Sequence, residues 1–61
     1  PEGREVIFRK GCWIGANCTV LSGSDIGNGS VVGSNSVVRG IVPSNCVYAG
    51  NPGAVKKVFN D

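Results

Sequence analysis

Few side chains in this 61-residue chain could do chemistry. It holds three cysteines, four carboxylates, six lysines and arginines, and no histidine. The chain by itself therefore offers no imidazole general base, no Ser-His-Asp or Cys-His arrangement and no His-ligated zinc. Cys12, Cys18 and Cys46 are odd in number, include no CxxC pair and find no fourth ligand. They read as small buried hydrophobes, with no disulfide framework and no metal site expected. Asp25 reads as a solvated turn residue, and no carboxylate stands out as a substitute base. A net charge of +2 is too small to argue for a nucleic-acid partner. Two Asn-x-Ser/Thr triplets, Asn17-Cys18-Thr19 and Asn28-Gly29-Ser30, read as corners, because Asn tolerates left-handed backbone.

The elements that must position these groups are strands. Ten valines and four isoleucines face one leucine and no methionine, punctuated by ten glycines and six asparagines. That is strand-and-turn composition, and it argues against a helical bundle. No apolar run approaches the ~18 residues of a membrane-spanning helix. The first ten residues, PEGREVIFRK, carry five charges and no signal-peptide core. A cytoplasmic location is the resulting expectation.

A six-residue ruler runs through the chain. Phe8, Ile14, Val20, Ile26, Val32 and Val38 are all apolar, and the residues four further on, Cys12, Cys18, Ser24, Ser30 and Ser36, are all small. After Val38 the ruler slips by four, resuming at Val42 with Cys46 and then Tyr48, as if Val38-Arg39-Gly40-Ile41 were an inserted loop. Six is not a multiple of 3.6, so an α-helix does not produce this pattern. A β-meander turning at Asn28-Gly29 is the competing reading. It gives no reason for a small residue at one phase across five hexads. Short extended segments joined by tight corners do. Three segments close a triangular coil of eighteen residues, placing Ile14 under Val32 and Cys18 under Ser36.

On these residues the chain resembles the hexapeptide-repeat acyltransferases. The resemblance rests on Ile14-Gly15-Ala16-Asn17-Cys18-Thr19, Ile26-Gly27-Asn28-Gly29-Ser30-Val31 and Val32-Gly33-Ser34-Asn35-Ser36-Val37. Trp13-Ile14-Gly15-Ala16, the step to Val42-Pro43 and the closing Ala49-Gly50-Asn51-Pro52 resemble the C-terminal part of sugar, serine and polysaccharide O-acetyltransferases. The resemblance implies an all-β, left-handed parallel β-helix of about two to three coils. It would form a single domain over residues 1–61, with coils at 8–48 and a C-terminal loop and tail at 49–61, as a fragment of a longer enzyme or a complete inactive chain.

It further implies a homotrimer, acetyl-CoA as acyl donor, a hydroxyl-bearing acceptor and active sites between subunits. The family's general-base histidine lies on an earlier coil and has no counterpart here, so no catalytic residue is assigned. Gly15, Ala16, Gly33 and Ser34 match positions whose backbone amides hold the pantetheine arm; simple corner geometry explains each glycine equally. Trp13 matches a residue lining the thioester end and by phase points outward. Arg39-Gly40 departs from the Thr-Lys that the family usually has before the proline step, though a cation there could still meet the coenzyme's phosphates; Lys56 and Lys57 stand where the family's basic residues approach the nucleotide 3′-phosphate. Two functions are thus expected to compete. One is an acetyl-CoA-dependent O-acetyltransferase, of which this chain is the coenzyme-binding part. The other is a catalytically inactive trimerising or structural module.

Overall fold

The computed structural model describes residues 5–59. All regular structure among them is strand. The order is β1 (Ile7–Phe8), β2 (Trp13–Ile14), β3 (Thr19–Val20), β4 (Asp25–Ile26), β5 (Val31–Val32), β6 (Val37–Val38), β7 (Ile41–Val42), β8 (Cys46–Gly50) and β9 (Gly53–Val58). They make three sheets, β1-β4-β7, β2-β5-β8-β9 and β3-β6, parallel throughout except for β8 with β9. These are the three walls of a prism, so the coil reading holds and the meander does not. Asn28-Gly29 turns a corner between walls.

Each two-residue strand points its second residue inward. Ile26, Val32 and Val38 are fully buried, as are Val42 and Cys46 within a percent. Burying each apolar side chain contributes about 1.5–3 kcal/mol. Phe8 shares the inward phase yet is 55% exposed, because no described residue covers the first coil. Ser24, Ser30 and Ser36 fill the small-residue column. A hydroxyl there must bond internally, and each does. Ser24 Oγ donates to Leu21 O (2.6 Å), Ser36 Oγ to Gly33 O (2.6 Å), and Ser30 Oγ to Pro43 O. The cysteines take the same column, Cys46 Sγ donating to Pro43 O (3.2 Å) and Cys18 Sγ to Gly33 O (3.1 Å). All three are free thiols.

Every corner has a residue with positive φ. Asn17, Asn35 and Asn45 supply it at 60°, 62° and 56°. At the other Asn-x-Ser triplet the conformation falls on Gly29 (68°) and not on Asn28. The step from Val38 to Val42 proves to be a shortened corner and not an inserted loop. Only Arg39-Gly40 separates β6 from β7, where residues 21–24 turn the same edge one coil earlier, between β3 and β4. Gly40 adopts φ +82° and its carbonyl accepts from Asp25 N (3.0 Å). Partners one coil apart are therefore eighteen residues apart at Ile14/Val32 but sixteen apart at Val32/Tyr48.

Residues 49–59 are likewise not a loop and tail. β8 turns at Asn51-Pro52 and returns as antiparallel β9, with an irregularity at Val47/Tyr48. Gly53 lies against the Tyr48 ring and Val37 O, where a Cβ would not fit. Tyr48 is 6% exposed as a result, so the hairpin closes the C-terminal end of the prism.

Candidate functional site

The edge between the β2-β5-β8 and β3-β6 walls gathers most of the expected site residues. Gly15-Ala16 and Gly33-Ser34 turn that edge in successive coils, and Ala49-Gly50, the end of β8, stacks on Gly33-Ser34 in the next. Ala16 N donates to Ser34 Oγ (3.3 Å), and Asn35 N to Ala16 O (2.9 Å). A Cβ at Gly15 would lie 2.7 Å from Ser34 N, and one at Gly33 would lie 3.1 Å from Ala49 Cβ. Coil stacking therefore already requires the absence of a side chain at Gly15. The coils themselves use most of the amides along this edge. Gly15 N donates to Val32 O (2.8 Å) and Gly33 N to Tyr48 O (2.9 Å), so with Ala16 three of the four amides are engaged within the chain. What the edge offers is a narrow polar strip with no side chain larger than serine at 16, 34 and 50.

Lys56 closes this strip. In the antiparallel pairing Val47 faces Lys57 and Tyr48 faces Val55, which leaves Lys56 as the extra residue. Its Nζ lies 3.8 Å from where a Cβ on Gly50 would stand. Lys57 instead joins the outward column of Trp13, Val31 and Val47. Trp13 is 62% exposed, as its phase predicts. Three strand spacings of about 4.8 Å separate Trp13 from Lys57, too far for contact between them. Arg39 turns the opposite edge, between β6 and β7, so one chain does not bring it to the Ala16-Ser34 strip.

Asp25 is no corner residue. It lies on β4, half-buried, and receives Arg9 Nε on Oδ1 (2.8 Å) and Arg9 Nη2 on Oδ2 (2.7 Å). Those charge-assisted hydrogen bonds hold its carboxyl below the ordinary aspartate range and hold the Arg9 guanidinium above its own. A carboxylate so committed is a poor general base.

Residues 5–40, more than half the chain, match the family described as bacterial transferase hexapeptide (six repeats). The chain belongs to that family. Among curated proteins, it is 51% identical over 59 residues to a putative lipopolysaccharide biosynthesis O-acetyl transferase, WbbJ, of Escherichia coli K12. That match covers 97% of this chain and 30% of the relative. A galactoside O-acetyltransferase of Lactococcus lactis is 40% identical over 58 residues, covering 95% and 28%. Of solved structures, a Vibrio cholerae hexapeptide-repeat acetyltransferase complexed with acetyl coenzyme A superposes with a TM-score of 0.89 at 34% identity, covering 92% of this chain and 31% of that one. A galactoside acetyltransferase in complex with coenzyme A gives 0.88 at 36%, covering 92% and 28%. The chain thus spans about a third of the length of these relatives. It shares their left-handed parallel β-helix.

Sequence reading missed Ala49-Gly50 as part of the hexapeptide edge. The signal was present. The four-residue step from Val38 to Val42 reduces the coil by two, which aligns Gly33-Ser34 with Ala49-Gly50. Among the described residues no helix is long and apolar enough to cross a membrane.

Proposed function

We propose that this chain is the C-terminal, coenzyme-binding part of an acetyl-CoA-dependent O-acetyltransferase acting on a sugar, polysaccharide or small hydroxyl acceptor. The observation that carries the reading is the strip of Ala16, Ser34 and Gly50, free of large side chains and ended by Lys56. Relatives named as O-acetyltransferases, and neighbours complexed with coenzyme A, support it. Acetyl-CoA supplies an acyl group activated as a thioester.

The chain's own residues would bind and orient. The strip gives an extended arm a surface it can lie against. Lys56 meets phosphate charge at one end, and the exposed indole of Trp13 offers an apolar wall on the neighbouring face. No histidine occurs in the sequence, so the proton acceptor for the attacking hydroxyl comes from another part of the protein.

We further propose a homotrimer. Arg39 and the Ala16-Ser34 strip occupy different edges of one prism, so a site using both needs two chains. Ile41, 76% exposed, and Ile7, 42% exposed, give the β1-β4-β7 wall apolar surface to cover. The three free thiols suit a reducing compartment, which supports a cytoplasmic location.

The test is acyl transfer by the whole protein. Acetyl-CoA is mixed with galactosides, oligosaccharides and serine, and release of the coenzyme thiol is followed. Acceptor-dependent release is expected with at least one hydroxyl compound. Absence of release with every acceptor, together with absence of coenzyme binding, leaves the trimerising module as the correct reading; the missing histidine is the observation that favours it.

A further inference from the structure

Asn28-Gly29 is the one Asn-Gly dipeptide in the sequence. Such a pair is intrinsically labile. The Gly nitrogen attacks the Asn Cγ and ammonia leaves. The resulting succinimide then takes up water to open as aspartate or isoaspartate. Glycine favours the attack because no Cβ obstructs it and its backbone is free to turn. Asn17, Asn35 and Asn45 precede Cys18, Ser36 and Cys46, whose side chains crowd the attacking nitrogen, and Asn51 precedes Pro52, which has no N–H.

Both reacting groups of Asn28-Gly29 are held by the backbone of one residue of the preceding coil, Lys10. Lys10 N donates to Asn28 Oδ1 (3.0 Å), and Gly29 N donates to Lys10 O (3.0 Å). The carboxamide and the nitrogen that must meet each other are bound to Lys10 instead. Nor is Gly29 easily replaced by a less labile neighbour. It adopts φ +68°, and a Cβ there would fall 2.7 Å from Asn45 Oδ1. Asn28 itself is exposed, so water for the second step is at hand.

We propose that Asn28-Gly29 is a deamidation site held closed by the Lys10 backbone, and that it opens only when the Lys10 corner separates locally from the Asn28 corner. Conversion to isoaspartate inserts a methylene into the main chain, just ahead of Ser30 in the small-residue column. The eighteen-residue register then no longer fits, and re-docking is blocked.

The test incubates the full protein at neutral pH, folded and in guanidinium. Peptide mapping by mass spectrometry scores the amide-to-acid exchange and isoaspartate at position 28. The folded rate is expected to be at least about tenfold below the unfolded one, as for any reaction that needs local opening. Lys10→Pro, which deletes the donor to Oδ1, should raise the folded rate. In case that variant fails to fold, Arg9→Ala loosens the same corner and should raise it by about two- to fivefold. Equal folded and unfolded rates would overturn the proposal. So would faster conversion of Asn17, Asn35 or Asn45 in the folded protein, or a folded rate that neither variant changes.

Discussion

Gly27 lies so close beneath Ser44 that a Cβ at position 27 would stand 2.5 Å from the Ser44 amide nitrogen and 2.7 Å from its Cα. The contact is with backbone, which cannot swing aside. Gly27→Ala must therefore push apart the second and third coils. A loss of about 1–3 kcal/mol is expected, as for other overpacked sites. Thermal unfolding of the variant checks it.

Gly40 makes the complementary case. A Cβ there meets nothing within 4 Å, yet the residue adopts φ +82°. The cost of substitution is purely conformational. Gly40→Val should lose about 1–2 kcal/mol, and Gly40→Asn clearly less, because asparagine tolerates this backbone region. Denaturant unfolding of the pair reads the difference directly. Equal losses would mean that packing and not backbone conformation sets the requirement.

The prism itself was legible in the sequence, because the fixed phase of Ile14, Val32 and Val38 against Cys18, Ser30 and Ser36 suits a three-sided coil and gives a meander no reason for it. Handedness was not. Spacing is the same in a coil of either hand, and only the resemblance supplied it. The corner at Arg39-Gly40 was misread for a physical reason. A break in a ruler has the same appearance whether residues are added or removed, and only the pairing of Asp25 with Ile41 shows that two were lost. The hairpin after Gly50 was hidden because Val55-Lys56-Lys57-Val58 does not alternate, its bulge having shifted the phase. At the site, the glycines were visible but their amides were not known to be committed. That depended on which carbonyl of the next coil each would meet.

Ser36 tests the polar core. Its hydroxyl donates to Gly33 O and accepts from Gly50 N (3.1 Å) while buried. Ser36→Ala should cost about 1–3 kcal/mol, since it strands the half-buried Gly50 donor that the hydroxyl served. Ser36→Cys, which preserves size and follows the example of Cys18 and Cys46 in the same column, should cost less. Chemical denaturation of both variants decides.

The Arg9–Asp25 pair predicts an acid limb. Asp25 titrates below its unfolded value of about 3.9, so its contribution to stability is fully present above that pH. It is lost as pH falls through the lower folded value. Asp25→Asn should therefore flatten the acid side of the stability profile and leave its shape near neutrality unchanged. The Arg9 side of the pair is exposed, so added salt should shrink the effect.

Lys56 and Lys57 are adjacent in sequence but serve different surfaces, and coenzyme binding should tell them apart. The most direct measurement is a calorimetric titration of the whole protein with coenzyme A, repeated with Lys56→Ala, with Lys57→Ala and with coenzyme lacking its 3′-phosphate. Saturable binding is expected. Lys56→Ala should weaken it about tenfold, in line with a charge-assisted contact to phosphate, and Lys57→Ala clearly less. The Lys56 effect should vanish with the dephosphorylated coenzyme. No detectable binding by the intact protein, or binding indifferent to Lys56, would contradict the assignment of the Ala16-Ser34-Gly50 strip as the coenzyme's seat.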